Sequence, residues 1–150
     1  SNKGRDPILS KKALKAFRII LIEYPKSKYA KDAKLKIQYI KNSLAQNVLN
    51  IGKFYLKKNA PASSIKRFKD ILQNYQNTSV IPETLYRLTE ALLMIGLKEE
   101  ALKSNALLKY NFPSNEWTDL SNEILSNSLL LNKKLDSSFS IKNYLISIFD

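Results

Sequence analysis

The sequence has no cysteine and no histidine. Disulfides, thiolate or imidazole zinc sites, and any nucleophile served by a histidine base are thereby excluded. Glycine is nearly missing too. Gly4, Gly52 and Gly96 are the only three, too scattered to build the Gly-rich loop that cradles phosphates. No run of 18 apolar residues occurs, so no segment is long and apolar enough to span a bilayer as a helix. What remains is the composition of an ordinary folded chain: 150 residues, 44% hydrophobic and 25% charged. That is about one domain's length. The missing chemistry points away from an enzyme and toward a binding module. No catalytic residue, cofactor or metal ligand is expected.

Acidic residues are scarce in one half only. Residues 1–75 hold 18 Lys/Arg against Asp6, Glu23, Asp32 and Asp70, whereas residues 76–150 hold seven against nine. The net charge of +12 therefore belongs to the first half. Such a field steers acidic partners. Lysine dominates it, with 21 lysines to four arginines. Nucleic-acid readers lean on arginine and aromatic platforms, and neither is clustered with these lysines. The surplus reads as solvated helix faces, and no nucleic-acid partner is expected.

Pro25, Pro61, Pro82 and Pro113 cut the chain into segments of helical period. Residues 10–24 place Ala13, Ala16, Phe17, Ile20, Leu21 and Tyr24 on one stripe. The run from about 29 to 59 carries Ala33, Ile37, Ile40, Leu44, Val48, Ile51 and Tyr55 and has no breaker. As one helix it would be about 45 Å long. Further helices are expected over about 62–75, 82–96, 98–110 and 115–127. Pro61 and Pro82 suit first turns, and Gly96 suits the left-handed residue that closes a helix. No alternating strand pattern appears. The expected fold class is all-α, built from helical hairpins.

A repeat organises these helices. Ala13, Phe17, Ile20 and Pro25 are spaced 4, 3, 5. Ser64, Phe68, Ile71 and Gln76 follow the same spacing, as do Ala101, Asn105, Leu108 and Pro113. These are the small, aromatic, small and proline positions of a tetratricopeptide repeat's second helix, loosened by Ser64, Gln76 and Asn105. First-helix counterparts precede two of them: Val48, Ile51, Gly52 and Tyr55 before Ser64, then Leu85, Leu88, Leu92 and Gly96 before Ala101. A small residue at the crossing lets paired helices approach, and the aromatic fills the space between hairpins. Ala13 to Ser64 is 51 residues and Ser64 to Ala101 is 37. The surplus fits an extra stretch, about 30–45, fused to the following first helix. The expected product is a short right-handed solenoid over 10–127, between an N-terminal loop or tag remnant (1–9) and a tail (128–150). Because the first repeat shows only its second helix, the chain is expected to be the C-terminal portion of a longer repeat protein.

The order of blocks resembles a known family. Gly4-Arg5-Asp6 leads to Ala13-x3-Phe17-x6-Tyr24-Pro25-x-Ser27-x-Tyr29-Ala30-x-Asp32-Ala33. Phe54-Tyr55-x8-Ser64-x2-Arg67-Phe68-x6-Tyr75 follows the long helix. Then come Leu85-Tyr86-Arg87-Leu88-x2-Ala91, Gly96-Leu97-x3-Ala101 and Tyr110-x-Phe112-Pro113-x2-Glu116-Trp117. Over roughly residues 4–120 this is similar to the BamD family, repeat lipoproteins of the outer-membrane β-barrel assembly (BAM) machine. The resemblance implies a non-catalytic scaffold on the periplasmic face of the outer membrane. It implies membrane contact only through a lipid anchor lying outside this sequence. It also implies that this portion docks on the barrel-proximal periplasmic POTRA domain of BamA and contacts BamE. Unfolded outer-membrane substrates would meet the N-terminal repeats. Arg67 stands where the family commonly has an arginine that pairs with a carboxylate on BamA. A guanidinium fork suits that task and an ammonium does not. Lys66, Ser63 and Asp70 on the same face, and Asn59 and Ala60 in the preceding turn, are secondary partner-binding candidates.

Other features have plainer readings. Glu99-Glu100 and Glu116, Asp119 and Glu123 read as helix-start residues favoured by the dipole rather than as catalytic acids. Trp117, Phe112 and Tyr110 read as a cap on the end of the solenoid core. Ile141, Tyr144, Leu145, Ile148 and Phe149 mark a short amphipathic helix expected to cover the last hairpin. The competing function is a generic repeat adaptor that holds a peptide in a concave groove lined by Asn47, Asn50, Lys53 and Lys57.

Overall fold

Residues 6–131 are described in the computed structural model, and every regular element among them is helical. The order is α1 (Pro7–Glu23), α2 (Lys28–Lys57), α3 (Pro61–Asn74), α4 (Ile81–Met94) and α5 (Lys98–Asn111). A sixth helix, α6, is followed over residues 116–131. From α1 to α5 each helix packs on the next in chain order. Leu125 of α6 joins the core, and Asn105 Nδ2 of α5 donates to Asn122 Oδ1 of α6 at 3.0 Å. The architecture is the expected tetratricopeptide-like run of helices.

Local chemistry sets the boundaries. Asp6 Oδ1 accepts from the Ile8 N–H at 2.8 Å, and Pro7 occupies the first turn. The first helix therefore begins at Pro7 and not at residue 10, so the expected loop over 1–9 is helical from residue 7. Ser27 Oγ accepts from the Ala30 N–H and opens α2. Pro61 and Pro82 stand in the first turns of α3 and α4. Helix α6 includes residues 128–131, so the tail boundary placed at 128 falls within a helix. The amphipathic stripe over 141–149 lies outside the described residues.

The long helix is confirmed as one 30-residue element. Its first half faces α1, where Ile37, Ile40 and Leu44 close on Leu14. Its second half faces α3, where Ala45 and Leu49 join the main core with Phe68, Ile71, Leu85, Leu88, Leu92, Ala101 and Leu108. Tyr75 touches both clusters. One helix thus serves two hairpins, which is why the repeat spacing stretches there.

Phe68 and Ser64 fix the α2–α3 crossing. The Phe68 ring is wholly buried and lies against the bare Cα of Gly52. Ser64 Oγ donates to the Gly52 carbonyl at 3.0 Å. Serine at the expected small position thus adds a bond that alanine would not.

Several packing assignments need correction. Ile51 is 42% exposed. The buried stripe of α2 runs through Ala45, Leu49 and Gly52, because the face turns as the helix changes partner. Ala16 and Tyr24 are exposed, and Ser10 and Leu14 are the buried positions of α1. Ala13, Phe17 and Ile20 are only partly buried. Ala13 and Phe17 open on a groove of about 830 Å³ between α1 and α2. Pro25 and Pro113 are exposed in the turns after α1 and α5. They stop helices rather than fill space.

Gly96 closes α4 with φ +78°, and the Leu97 N–H donates to the Leu92 carbonyl at 3.0 Å. A Cβ added there meets nothing within 4 Å. The cost of Gly96→Ala is therefore backbone strain alone, about 1 kcal/mol. Thermal unfolding should fall by roughly 2–4 °C, and Gly96→Asn, which tolerates this conformation, should recover part of it.

Candidate functional site

Helix α3 is the element on which sequence reasoning places its partner-binding residues. Its inner face is Ser64, Ile65, Phe68 and Ile71, all buried. That burial fixes the helix's rotation. Ser63, Lys66, Arg67 and Asp70 then share the opposite side, at helical spacings of three and four. Ser63 and Lys66 are exposed, and Arg67 and Asp70 are partly buried. Asn59 sits in the turn before α3, exposed and at φ 54°. The structure thus gathers the four α3 residues on one face, with Asn59 in the turn at its head.

The charges on this face are not equally free. Asp70 Oδ1 accepts from Asn74 Nδ2 at 2.6 Å. Among the described residues Arg67 has no hydrogen-bond or ion-pair partner. A guanidinium partly withdrawn from water and unpaired among the described residues has already lost part of its solvation. A planar carboxylate presented from outside could take both parallel N–H donors. Lys57, Lys58, Lys66 and Lys69 flank Arg67 in sequence, and Asp70 is the lone acid between residues 33 and 82. The field there favours an acidic partner.

A second cluster was not anticipated as a unit. Glu83, Arg87 and Glu90 lie on one face of α4. Arg87 Nη1 binds Glu90 Oε2 at 3.0 Å, and Arg87 Nε approaches Glu83 Oε1 at 3.5 Å. Lys53 of α2 reaches the same Glu83 oxygen at 2.7 Å. The guanidinium carbon lies 5.0 Å from the Tyr86 ring centroid and 5.6 Å from that of Trp117. Those two rings are 5.3 Å apart. A cleft of about 240 Å³ lined by Lys53, Leu56, Lys57, Arg87, Glu90 and Met94 adjoins them. The signal available in sequence was the spacing of residues 83, 87 and 90, which permits acid–base pairing along a helix. Lys53 was assigned to a peptide groove, yet its ammonium is committed to Glu83. Trp117 and Phe112 pack on the core as expected, whereas Tyr110 is 85% exposed and takes no part in that cap.

Tyr86 feels this surrounding. Burial, then the Glu90 carboxylate, push its phenol above the ordinary 10.0. Arg87 opposes the shift and Glu123 adds to it. The neutral phenol is thus favoured by folding. Its contribution is complete below pH 10 and is lost as pH rises through the folded-state value. The melting temperature should fall more steeply above pH 10 in the native chain than in Tyr86→Phe, as scanning calorimetry would show.

No group of three acidic side chains suited to a metal occurs among the described residues. Glu99 and Glu100 occupy the first turn of α5, and Glu100 pairs with Lys103 at 3.0 Å. This is the helix-start role expected of them.

Comparison with known proteins follows the same outline. The sequence model of the family described as "YfiO: Outer membrane lipoprotein" matches residues 1–107. A relative from Caulobacter vibrioides, named outer membrane protein assembly factor BamD, is 44% identical over 114 residues, covering 76% of this chain and 37% of the relative. A protein of the same name from Rickettsia prowazekii is 39% identical over 112 residues, 75% of this chain and 45% of its own length. One from Neisseria meningitidis serogroup A is 31% identical over 109 residues, 73% and 41% respectively. The chain spans less than half the length of these relatives.

Proposed function

The chain belongs to the YfiO family of outer membrane lipoproteins, and from that membership we propose that it is a non-catalytic scaffold in outer-membrane protein assembly. The proposed partner is the barrel-proximal POTRA domain of BamA, met by the outer face of α3. Arg67 is the central contact, with Lys66, Ser63, Asp70 and Asn59 around it. BamE is a second proposed partner, and the proposed site of work is the periplasmic face of the outer membrane. Unfolded substrates are assigned to repeats outside this sequence.

The observation that carries this reading is the isolation of Arg67. It is held on a helix packed into the core, is partly buried, and has no carboxylate partner among the described residues. The mechanism is geometric. Because Phe68 and Ile71 lock α3 into the core, the backbone that carries Arg67 is fixed, and the ordering left to binding is that of the side chain itself. Calorimetric titration with the POTRA domain from the same organism tests it. Binding at micromolar affinity or tighter supports the scaffold, and no binding by the folded chain overturns it.

A further inference from the structure

Helix α1 carries a second apolar stripe on the side it turns to solvent. Its inner side packs Leu14 and Phe17 with Ile37, Ile40 and Leu44 of α2. Ile8, Ile19 and Ile22 are instead 64%, 47% and 78% exposed. With Lys12 and Lys15 they fall at spacings of four, three, four and three, so all five share one face of the helix. Lys11 and Arg18 run beside them. The α1 residues on the α1–α2 groove, Leu9, Ala13 and Phe17 among them, belong to other sides. All four cations are exposed, and none joins an ion pair among the described residues. The one acid of α1 is Glu23, its last residue. We propose that this face of α1 is a docking surface for an anionic phospholipid bilayer, on which the helix lies in the membrane plane with its three isoleucines at the acyl boundary and its cations among the headgroups.

Two observations select this occupant. The first is charge complementarity. Residues 11–18 hold four cations and no acid, so the face attracts an anionic surface. The second is the mixture. Lysines alone would be satisfied by water, but three exposed isoleucines among them would not. From Ile8 to Ile22 the face runs about 21 Å. A bilayer offers an apolar layer and charged headgroups at every point along such a length, and lysine stems reach from one to the other. A phosphodiester backbone offers nothing to isoleucine. An acidic protein would have to match the alternation residue by residue. No helix among the described residues is long and apolar enough to cross a membrane, so the contact is a surface one. Packing on α2 already holds α1 as a helix, and binding does not have to form it. This inference uses no residue of α3 and stands apart from the POTRA reading.

The test is co-sedimentation of the full 150-residue chain with vesicles containing phosphatidylglycerol and with vesicles of phosphatidylcholine alone. Binding to the first should be at least about tenfold tighter, and the difference should shrink as salt rises from about 0.05 to 0.5 M. Lys12→Gln with Lys15→Gln should weaken binding to the anionic vesicles at least about tenfold. Lys57→Gln with Lys58→Gln removes equal charge at the far end of α2 and should change it less than about threefold. Ile8→Ser with Ile22→Ser should weaken it at least about tenfold and leave the melting temperature unchanged, because both side chains already face solvent. No binding to anionic vesicles by the folded chain at low salt would overturn the proposal. Equal losses from the two lysine pairs would overturn it too, since the attraction would then be diffuse. So would an isoleucine pair without effect, or polyglutamate bound as tightly as the vesicles, because the partner would then be an acidic polymer and not a bilayer.

Discussion

Phe68→Ala is expected to cost the fold about 3–5 kcal/mol, the range for deleting a buried aromatic ring. Domains of this kind are stable by about 5–15 kcal/mol, so the loss is a large share of the total and the urea midpoint should fall markedly. The size follows from where the ring sits. Phe68 is fully buried, in one cluster with Ala45 and Leu49 of α2 and with core residues of α3, α4 and α5. It also rests on Gly52, where an added Cβ would come within 2.9 Å of Phe68 Cδ1 and 3.0 Å of Cζ, and closer still to Cε1. Gly52→Ala therefore gains about 1 kcal/mol of helix propensity but forces the ring or the α2–α3 spacing to give, at about 1–3 kcal/mol. The two sites are one contact, so their effects should not add. In a Phe68→Leu background Gly52→Ala should become neutral or stabilising, a coupling of about 0.5–3 kcal/mol. Strict additivity across that cycle would show that the glycine is not required by the ring.

Much of this contact was legible in the sequence because it rests on spacing. Ser64, Phe68 and Ile71 announce a crossing, and Gly52 stands at the right distance before them. The helix breaks were legible for a related reason: Pro61 and Pro82 and Gly96 each act through their own backbone, whatever surrounds them. Ile51 was misplaced because periodicity counts from a fixed face, whereas α2 changes partner along its length and its buried face turns with it. Asp6 and Pro7 carried the start of α1, but a cap is recognised only once the helix behind it is placed. The Lys53–Glu83–Arg87–Glu90 network mixes a local pattern on α4 with a residue 30 positions away. Only its local half can be read from sequence. The site on α3 was legible as a face, because burial of one side leaves no choice about the other. That Arg67 has no partner among the described residues is a property of the packed structure, and no spacing rule supplies it.

Arg67→Glu should abolish most binding to the proposed POTRA partner while leaving the fold intact. Nothing among the described residues pairs with the guanidinium, so its loss breaks no hydrogen bond or ion pair there, and changes of that kind cost about 0.5 kcal/mol of stability. Binding is another matter. Truncating one member of a desolvated charge pair costs about 2–5 kcal/mol, largely because the other charge is left unpaired. That corresponds to roughly 30- to 4,000-fold in Kd. Reversal to glutamate adds repulsion between like charges. Arg67→Lys should fall between, since it keeps the charge but loses the two-pronged donor geometry. Lys66→Glu, on an exposed neighbour, should cost at most about 1 kcal/mol and lose that effect at high salt. The ordering of the three variants in a calorimetric titration is the decisive reading. If Arg67→Glu binds as the native chain does, Arg67 is a solvated surface residue and the contact lies elsewhere on the repeats. If it binds weakly but Arg67→Lys binds equally weakly, the loss belongs to the fork rather than to the charge, and the partner group must be a planar carboxylate held in fixed register with α3.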